Sequence, residues 1–212
     1  YDSTKNVYNP GVVRYYIDRV DLSDSAHPRI SQKINVPGFL VGGSEADPSV
    51  IYTMDYHWDG TTTTNDLAVL KLDGDRAHLQ GHLAIPGNTG NVFVVGTTAY
   101  FSAQTWENTA NTSTSKVQLL QVDLSDPKNP VVLPSKQADG WGWLLGVEGD
   151  RAVVMSGWQN QGVDIFKLSD NQPPVYDQFV RTRGWWPSSL SRQDDTVLLA
   201  SGYWGTQVVK LK

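Results

Sequence analysis

Asp55, His57 and Asp59 stand two residues apart in the chain. On an extended strand that spacing sends all three side chains to one side, as a metal centre or an acid/base cluster requires. Thr and Asn are frequent around them, and the set occurs in one place only. A hydrogen-bond network between strands is therefore the plainer reading, with metal binding as the sharper one. Glu107 and Asp139 are a second pair of interest, because two carboxylates flanking a glycosidic bond can cleave it. No motif singles that pair out. Eight tryptophans complete the inventory. Trp58, Trp106, Trp158 and Trp204 recur at comparable intervals, whereas Trp141, Trp143, Trp185 and Trp186 follow glycines at 140 and 184. Large rings at regular intervals suit packing, while indoles at the mouth of a channel can stack on sugars or clamp a peptide.

Much chemistry is excluded. The chain has no Cys, so disulfides, thiolate metal sites, Fe–S clusters and thiol nucleophiles are absent. No Ser sits in a Gly-x-Ser-x-Gly setting, and no glycine-rich phosphate loop is present. The net charge of −5 and the lack of a Lys/Arg cluster argue against nucleic acid as a partner. No apolar run is long enough to span a bilayer as a helix. No catalytic residue is assigned, no cofactor is expected, and the chain reads as a binder rather than an enzyme.

The elements that must position these residues are set by an internal repeat. Val20-Asp21-Leu22, Leu70-Lys71-Leu72, Val122-Asp123-Leu124, Phe166-Lys167-Leu168 and Val209-Lys210-Leu211 share one pattern. Two apolar residues flank a charged one in each. The shared Leu falls at 22, 72, 124, 168 and 211, giving spacings of 50, 52, 44 and 43. Such alternation marks a strand with one buried face. Turn sequences follow the Leu, as in Ser-Asp-Ser-Ala-His-Pro at 23–28, Ser-Asp-Pro-Lys-Asn-Pro at 125–130 and Ser-Asp-Asn-Gln-Pro-Pro at 169–174. There Asp and Ser cap the turn and Pro pre-sets φ. Further strands follow, such as Arg29–Val36 and Val175–Arg181. Upstream lies a segment ending in Trp: Val50–Trp58, Ala99–Trp106, Ala152–Trp158 and Val197–Trp204. Loops of variable length separate that Trp from the next strand, among them Asp59–Thr64 and Glu107–Lys116.

Each unit therefore reads strand A, turn, strand B ending in Trp, variable loop, strand C ending in Leu, turn, strand D. Four antiparallel strands per unit predict an all-β chain, a β-propeller built of four-stranded antiparallel blades. Residues 1–38 supply strands C and D of one blade. Full blades follow at 39–88, 89–140 and 141–184, and 185–212 supplies strands A to C of another. The count leaves one strand too many for closure on itself. The expectation is that this is an incomplete, C-terminal portion of a ring, with the missing blades upstream, on a separate chain of the same precursor, or in a partner. On this architecture the B–C and D–A loops share one face. That face, or the layer just beneath it, gathers all eight tryptophans, with Trp58, Trp106, Trp141, Trp143, Trp185, Trp186, Glu107 and Asp139 as the binding candidates.

The Leu-Ser-Asp-Pro-x-x-Pro turn at 124–130 resembles that of exported bacterial and archaeal propellers, the LVIVD-repeat group and lipoprotein-like propeller proteins. The resemblance covers nearly all of the chain through short motifs. It implies an extracytoplasmic location (periplasmic, cell-surface or secreted) and a surface or scaffold role, and it carries over no catalytic residue. The expected function is a non-catalytic protein–protein interaction or surface-assembly module. The alternative is a glycan-binding or glycoside-cleaving propeller that uses the Trp and carboxylate side chains of that face.

Overall fold

The computed structural model describes residues 13–58, 63–85, 88–108, 113–134, 138–139, 142–156, 161–170, 172–184, 187 and 189–211. Strands dominate, and no helix among these residues is long and apolar enough to cross a membrane. The chain divides into two compact units, 1–85 and 86–212.

The first unit opens with an interrupted hairpin. β1 (Tyr15–Ile17) pairs with β4 (Ile34–Val36), and β2 (Val20–Asp21) pairs with β3 (Arg29–Ile30). Strand Arg29–Val36, expected to be continuous, breaks at Ser31–Lys33. There the Ser31 N–H donates to the Arg19 carbonyl at 2.9 Å and its hydroxyl does so at 3.2 Å. A four-stranded antiparallel sheet follows in the order β5 (Phe39–Gly43), β6 (Val50–Trp58), β7 (Thr63–Asp73), β8 (Arg76–Ile85). Ile34 and Val36 bury themselves against Ile51, Ala68 and Leu70 of that sheet. Burying such a side chain contributes about 1.5–3 kcal/mol, so this contact holds the hairpin down.

The second unit repeats the arrangement. β9 (Asn88–Val95), β10 (Thr98–Asn108), β11 (Ser113–Asp123) and β12 (Val131–Pro134) form one sheet, and β13 (Ala138–Asp139) also pairs with β11. β14 (Gly142–Glu148), β15 (Arg151–Ser156), β16 (Gly162–Ser169) and β17 (Gln172–Arg181) form the next. β18 (Ser189–Gln193), β19 (Thr196–Ala200) and β20 (Thr206–Lys210) form a three-stranded third. In every case consecutive strands are hydrogen-bonded neighbours, the up-and-down order of a propeller blade.

Alternation along the strands decides which sheet each side chain meets. Leu144, Val154 and Phe166 of the middle sheet pack with Tyr100, Val117 and Leu119 of the sheet before it. Their strand neighbours Leu145, Val153, Met155 and Ile165 pack with Val197, Leu199 and Val209 of the sheet after it. The middle sheet is thus buried on both faces. Polar contacts cross the same boundaries. The Leu144 N–H donates to Ser102 Oγ at 3.0 Å, and Arg192 Nη1 reaches Asp150 Oδ1 at 2.6 Å.

The repeated Leu has a second role. The N–H groups of Leu72, Leu124, Leu168 and Leu211 donate to the carbonyls of Ser49, Thr97, Asp150 and Asp195 at 2.7, 2.8, 2.9 and 2.7 Å. Each acceptor lies just before strand B of the same sheet, so a residue at the end of strand C closes onto the turn between strands A and B.

The turn after strand C comes in two forms. At 21–29 and 123–131 it is long and stapled by Asp. The Asp21 and Asp123 carboxylates accept the Ser23 and Ser125 N–H groups at 2.9 and 2.8 Å. Asp24 and Asp126 accept the N–H two residues on, at 3.1 and 3.0 Å. Between β16 and β17 the turn is shorter than the Pro-rich sequence suggests, because Ser169 already pairs with Gln172. Pro173 and Pro174 therefore lie inside β17. They are tolerated because β17 is the outermost strand and because the β16–β17 register shifts between Lys167 and Ser169, opposite the two prolines, so the ladder asks neither for a donor.

Two expectations about strand B change. β10 runs on to Asn108 and β11 starts at Ser113, so the loop expected over Glu107–Lys116 is mostly strand. In the last sheet strand B stops at Ala200, and Trp204 falls on a 3-10 turn, Gly202–Trp204. Glycines at 202 and 205, with φ of 55° and 73°, turn the chain there before another strand pair can form.

Candidate binding surface at the strand B–C ends

Of the residues singled out by sequence, Asp55, His57, Trp58, Trp106 and Glu107 lie toward the end of strand B of their sheets. In the first unit Asp55 and His57 belong to β6. The β6–β7 register runs without a break from Val50↔Lys71 to Trp58↔Thr63 and sets Asp55 directly opposite Asp66. Asp55 Oδ1 accepts the Tyr56 N–H at 2.9 Å. Asp59 and the side chains of His57 and Trp58 lie outside the described residues. Among the described residues no three His, Asp or Glu side chains stand close enough to share a metal ion.

In the second unit Trp106 pairs with Ser115, Glu107 with Thr114, and Asp139 with Lys116. Thr114 and Lys116 are two apart on β11. The backbone register therefore gives Glu107 and Asp139 positions of one face with β11 between them, about 12 Å apart from two strand spacings and the two-residue offset along β11. Trp106 falls on the opposite face by the same alternation. The side chains of Trp106, Glu107 and Asp139 lie outside the described residues, as do Trp141, Trp158, Trp185 and Trp186. Trp143 is described. It is partly buried against Leu145 and its cluster, and a Cβ on Gly90 would stand 3.0 Å from the Trp143 Cβ.

Two further groups of residues stand out in the second unit, and of their members only Trp204 is among those the sequence singles out. The first is centred on Asp164. Its carboxylate takes a short hydrogen bond from the Ser156 hydroxyl and also faces the Tyr176 hydroxyl. Burial raises the Asp164 carboxyl above its ordinary range, opposed in part by those two bonds. Burial also raises the Tyr176 hydroxyl, and the neighbouring Asp164 charge adds to this. The Tyr176 ring meets Phe166 edge-on, with centroids 5.8 Å apart and planes at 86°. The signal in the sequence was a carboxylate inside the apolar run Gly162-Val163-Asp164-Ile165-Phe166, where a buried strand would otherwise exclude charge.

The second group is the tip between β19 and β20. The Ser201 N–H donates to the Gly205 carbonyl at 2.9 Å, and the Trp204 N–H donates to the Ser201 carbonyl at 3.1 Å. Gln207 braces this turn. Its Oε1 accepts the Arg183 N–H at 2.6 Å, while its Nε2 donates to the Arg183 carbonyl and to Ser201 Oγ, both at 2.6 Å. One edge of the Trp204 indole lies on Gly184, whose φ of 84° and missing Cβ leave the ring its place. Trp204 is still 63% exposed, and Tyr203 at 108% is fully in solvent. A rigid turn thus presents two aromatic rings beside an exposed Arg183. Trp204 had been assigned to packing at the end of strand B. The Gly-Tyr-Trp-Gly spacing was the available sign that the ring leaves the strand.

No family model matches the chain. No curated protein matches it. Among solved structures it is similar to a putative 6-phosphogluconolactonase from Bacteroides uniformis, at 10% identity and a TM-score of 0.38, over 92% of this chain and 74% of that one.

Proposed function

We propose that the protein is a non-catalytic, extracytoplasmic recognition module of the LVIVD-like propeller kind, which takes a protein partner on the strand B–C ends. The observation that carries this reading is the braced tip with Tyr203 and Trp204 in solvent. Exposing two large rings is unfavourable unless something covers them, and Tyr, Trp and Arg are the residues enriched where binding energy concentrates. The Gln207 bonds hold the rings in place beforehand, so little ordering entropy is lost when a partner docks.

The test is panning of a displayed random-peptide library against the intact chain and against a Tyr203→Ala/Trp204→Ala variant. Peptides that bind the intact chain at least about tenfold more tightly support the reading, a difference of about 1.4 kcal/mol. A glycan reading has its own supporting observation, the Asp164 carboxylate beside the exposed Tyr176 ring. Saturable quenching of tryptophan fluorescence by sugars, with no peptide enriched, would replace the protein-partner reading with that one.

A further inference from the structure

On one face of the β5–β8 sheet, three cross-strand pairs follow one another: Ile51 with Leu70, Thr53 with Ala68, and Asp55 with Asp66. The first pair is buried under the β1–β4 hairpin. Thr53 is completely buried, yet its Oγ1 has no hydrogen-bond partner. The third pair sets two carboxylates directly opposite each other. Like charges in that position repel and destabilise the sheet. Among the described residues neither carboxylate has an ion pair, and Asp55 accepts a bond from the Tyr56 backbone N–H. Gly38, at φ 72°, lies so close to the Met54 carbonyl and the Asp55 nitrogen that a Cβ would not fit there.

Two unfavourable features thus sit in adjoining pairs of one face: an unneutralised carboxylate couple and an orphaned buried hydroxyl. A hard cation seated on the carboxylate pair would neutralise it and stand next to the pair that holds the hydroxyl. Carboxylates and hydroxyls are oxygen donors of the kind that calcium-class ions take, with bound water completing the shell. We infer that Asp55 and Asp66 hold a divalent cation of the calcium class at the end of the first unit's sheet, with Thr53 as the inner polar neighbour. The site is independent of the aromatic tip in the second unit. It uses Asp66 where the sequence reading had looked to Asp59.

The test is calorimetric titration of Ca2+, and of Mn2+ in parallel, into the chelator-treated 212-residue chain. Thermal unfolding is followed with and without the ion. The expected result is one site, with affinity in the range of about 10⁻⁴ to 10⁻³ M shown by extracellular calcium modules. Affinity should fall at least about tenfold in Asp66→Asn and in Asp55→Asn. Without metal, Asp66→Asn should melt above the parent, since it removes repulsion. With metal, only the parent should gain in melting temperature. Thr53→Val keeps both carboxylates and should retain the site at weaker affinity. No heat and no thermal shift with either ion up to about 10 mM, or undiminished binding in Asp66→Asn, would overturn the inference.

Discussion

The pentapeptide Val-Asp-Leu-Ser-Asp stands at 20–24 and again at 122–126. Both copies build the same turn, with carboxylates accepting the same N–H groups at matching distances. Beyond the turn their fates diverge. Val122 and Leu124 are 0% and 1% exposed, whereas Val20 and Leu22 are 52% and 65% exposed. The Leu124 N–H donates to the Thr97 carbonyl in the turn between β9 and β10. Among the described residues, the hairpin that holds Leu22 has no strands A and B beside it, and so neither that acceptor nor a neighbouring strand to shield it. Identical residues thus give identical local bonds and opposite burial. Hydrogen bonds across two or three residues are decided locally, whereas burial is decided by what the chain brings alongside.

The largest effect should come from trimming the two leucines. Leu124→Ala should cost about 2–5 kcal/mol, and Leu22→Ala should stay within about 0.5 kcal/mol. Urea unfolding of both variants measures the difference, and equal losses would break the comparison.

A smaller effect, of distinctive sign, concerns two kinds of carboxylate. Asp164 is raised by burial. Asp126 is lowered, first by the Asn129 side chain and then by the Lys128 N–H. A raised carboxyl favours the folded state below its unfolded value, and that contribution is lost as pH rises through the folded value. A lowered one contributes above its unfolded value and loses the contribution as pH falls through the folded value. Asp164→Asn should therefore melt higher than the parent at pH 7, with the gain gone by about pH 3, below the ordinary carboxylate range. Melting curves across that interval read it directly. No gain at pH 7 would mean that the Ser156 and Tyr176 bonds outweigh the burial.

The smallest effect belongs to the turns themselves. Asp24→Ala and Asp126→Ala should each lower stability slightly and to a similar degree, because each loses one backbone N–H bond and one solvent-exposed side-chain bond, to His27 and to Asn129 respectively. Unequal losses under matched denaturation would show that the surrounding sheet, and not the turn alone, sets the value of those bonds.

Alternation of apolar and charged residues, the Asp- and Pro-rich turns and the recurring Leu are properties of a few adjacent residues. They made the four-stranded sheets readable before any coordinates, because strand periodicity and turn capping act over short distances. The ends of strands B and C were less legible. The tip at Tyr203 and Trp204 depends on a brace from Gln207 to the backbone of Arg183, a contact spanning 24 residues. The place of Asp66 opposite Asp55 depends on the β6–β7 register, and a slip of one residue would send one carboxylate to the other face. By itself the sequence determined which segments are strands and how the Asp turns close, since each rests on local geometry and local hydrogen bonds. Only the tertiary structure decided which copy of the repeat is buried and which charges face each other, because those follow from the alignment of distant segments.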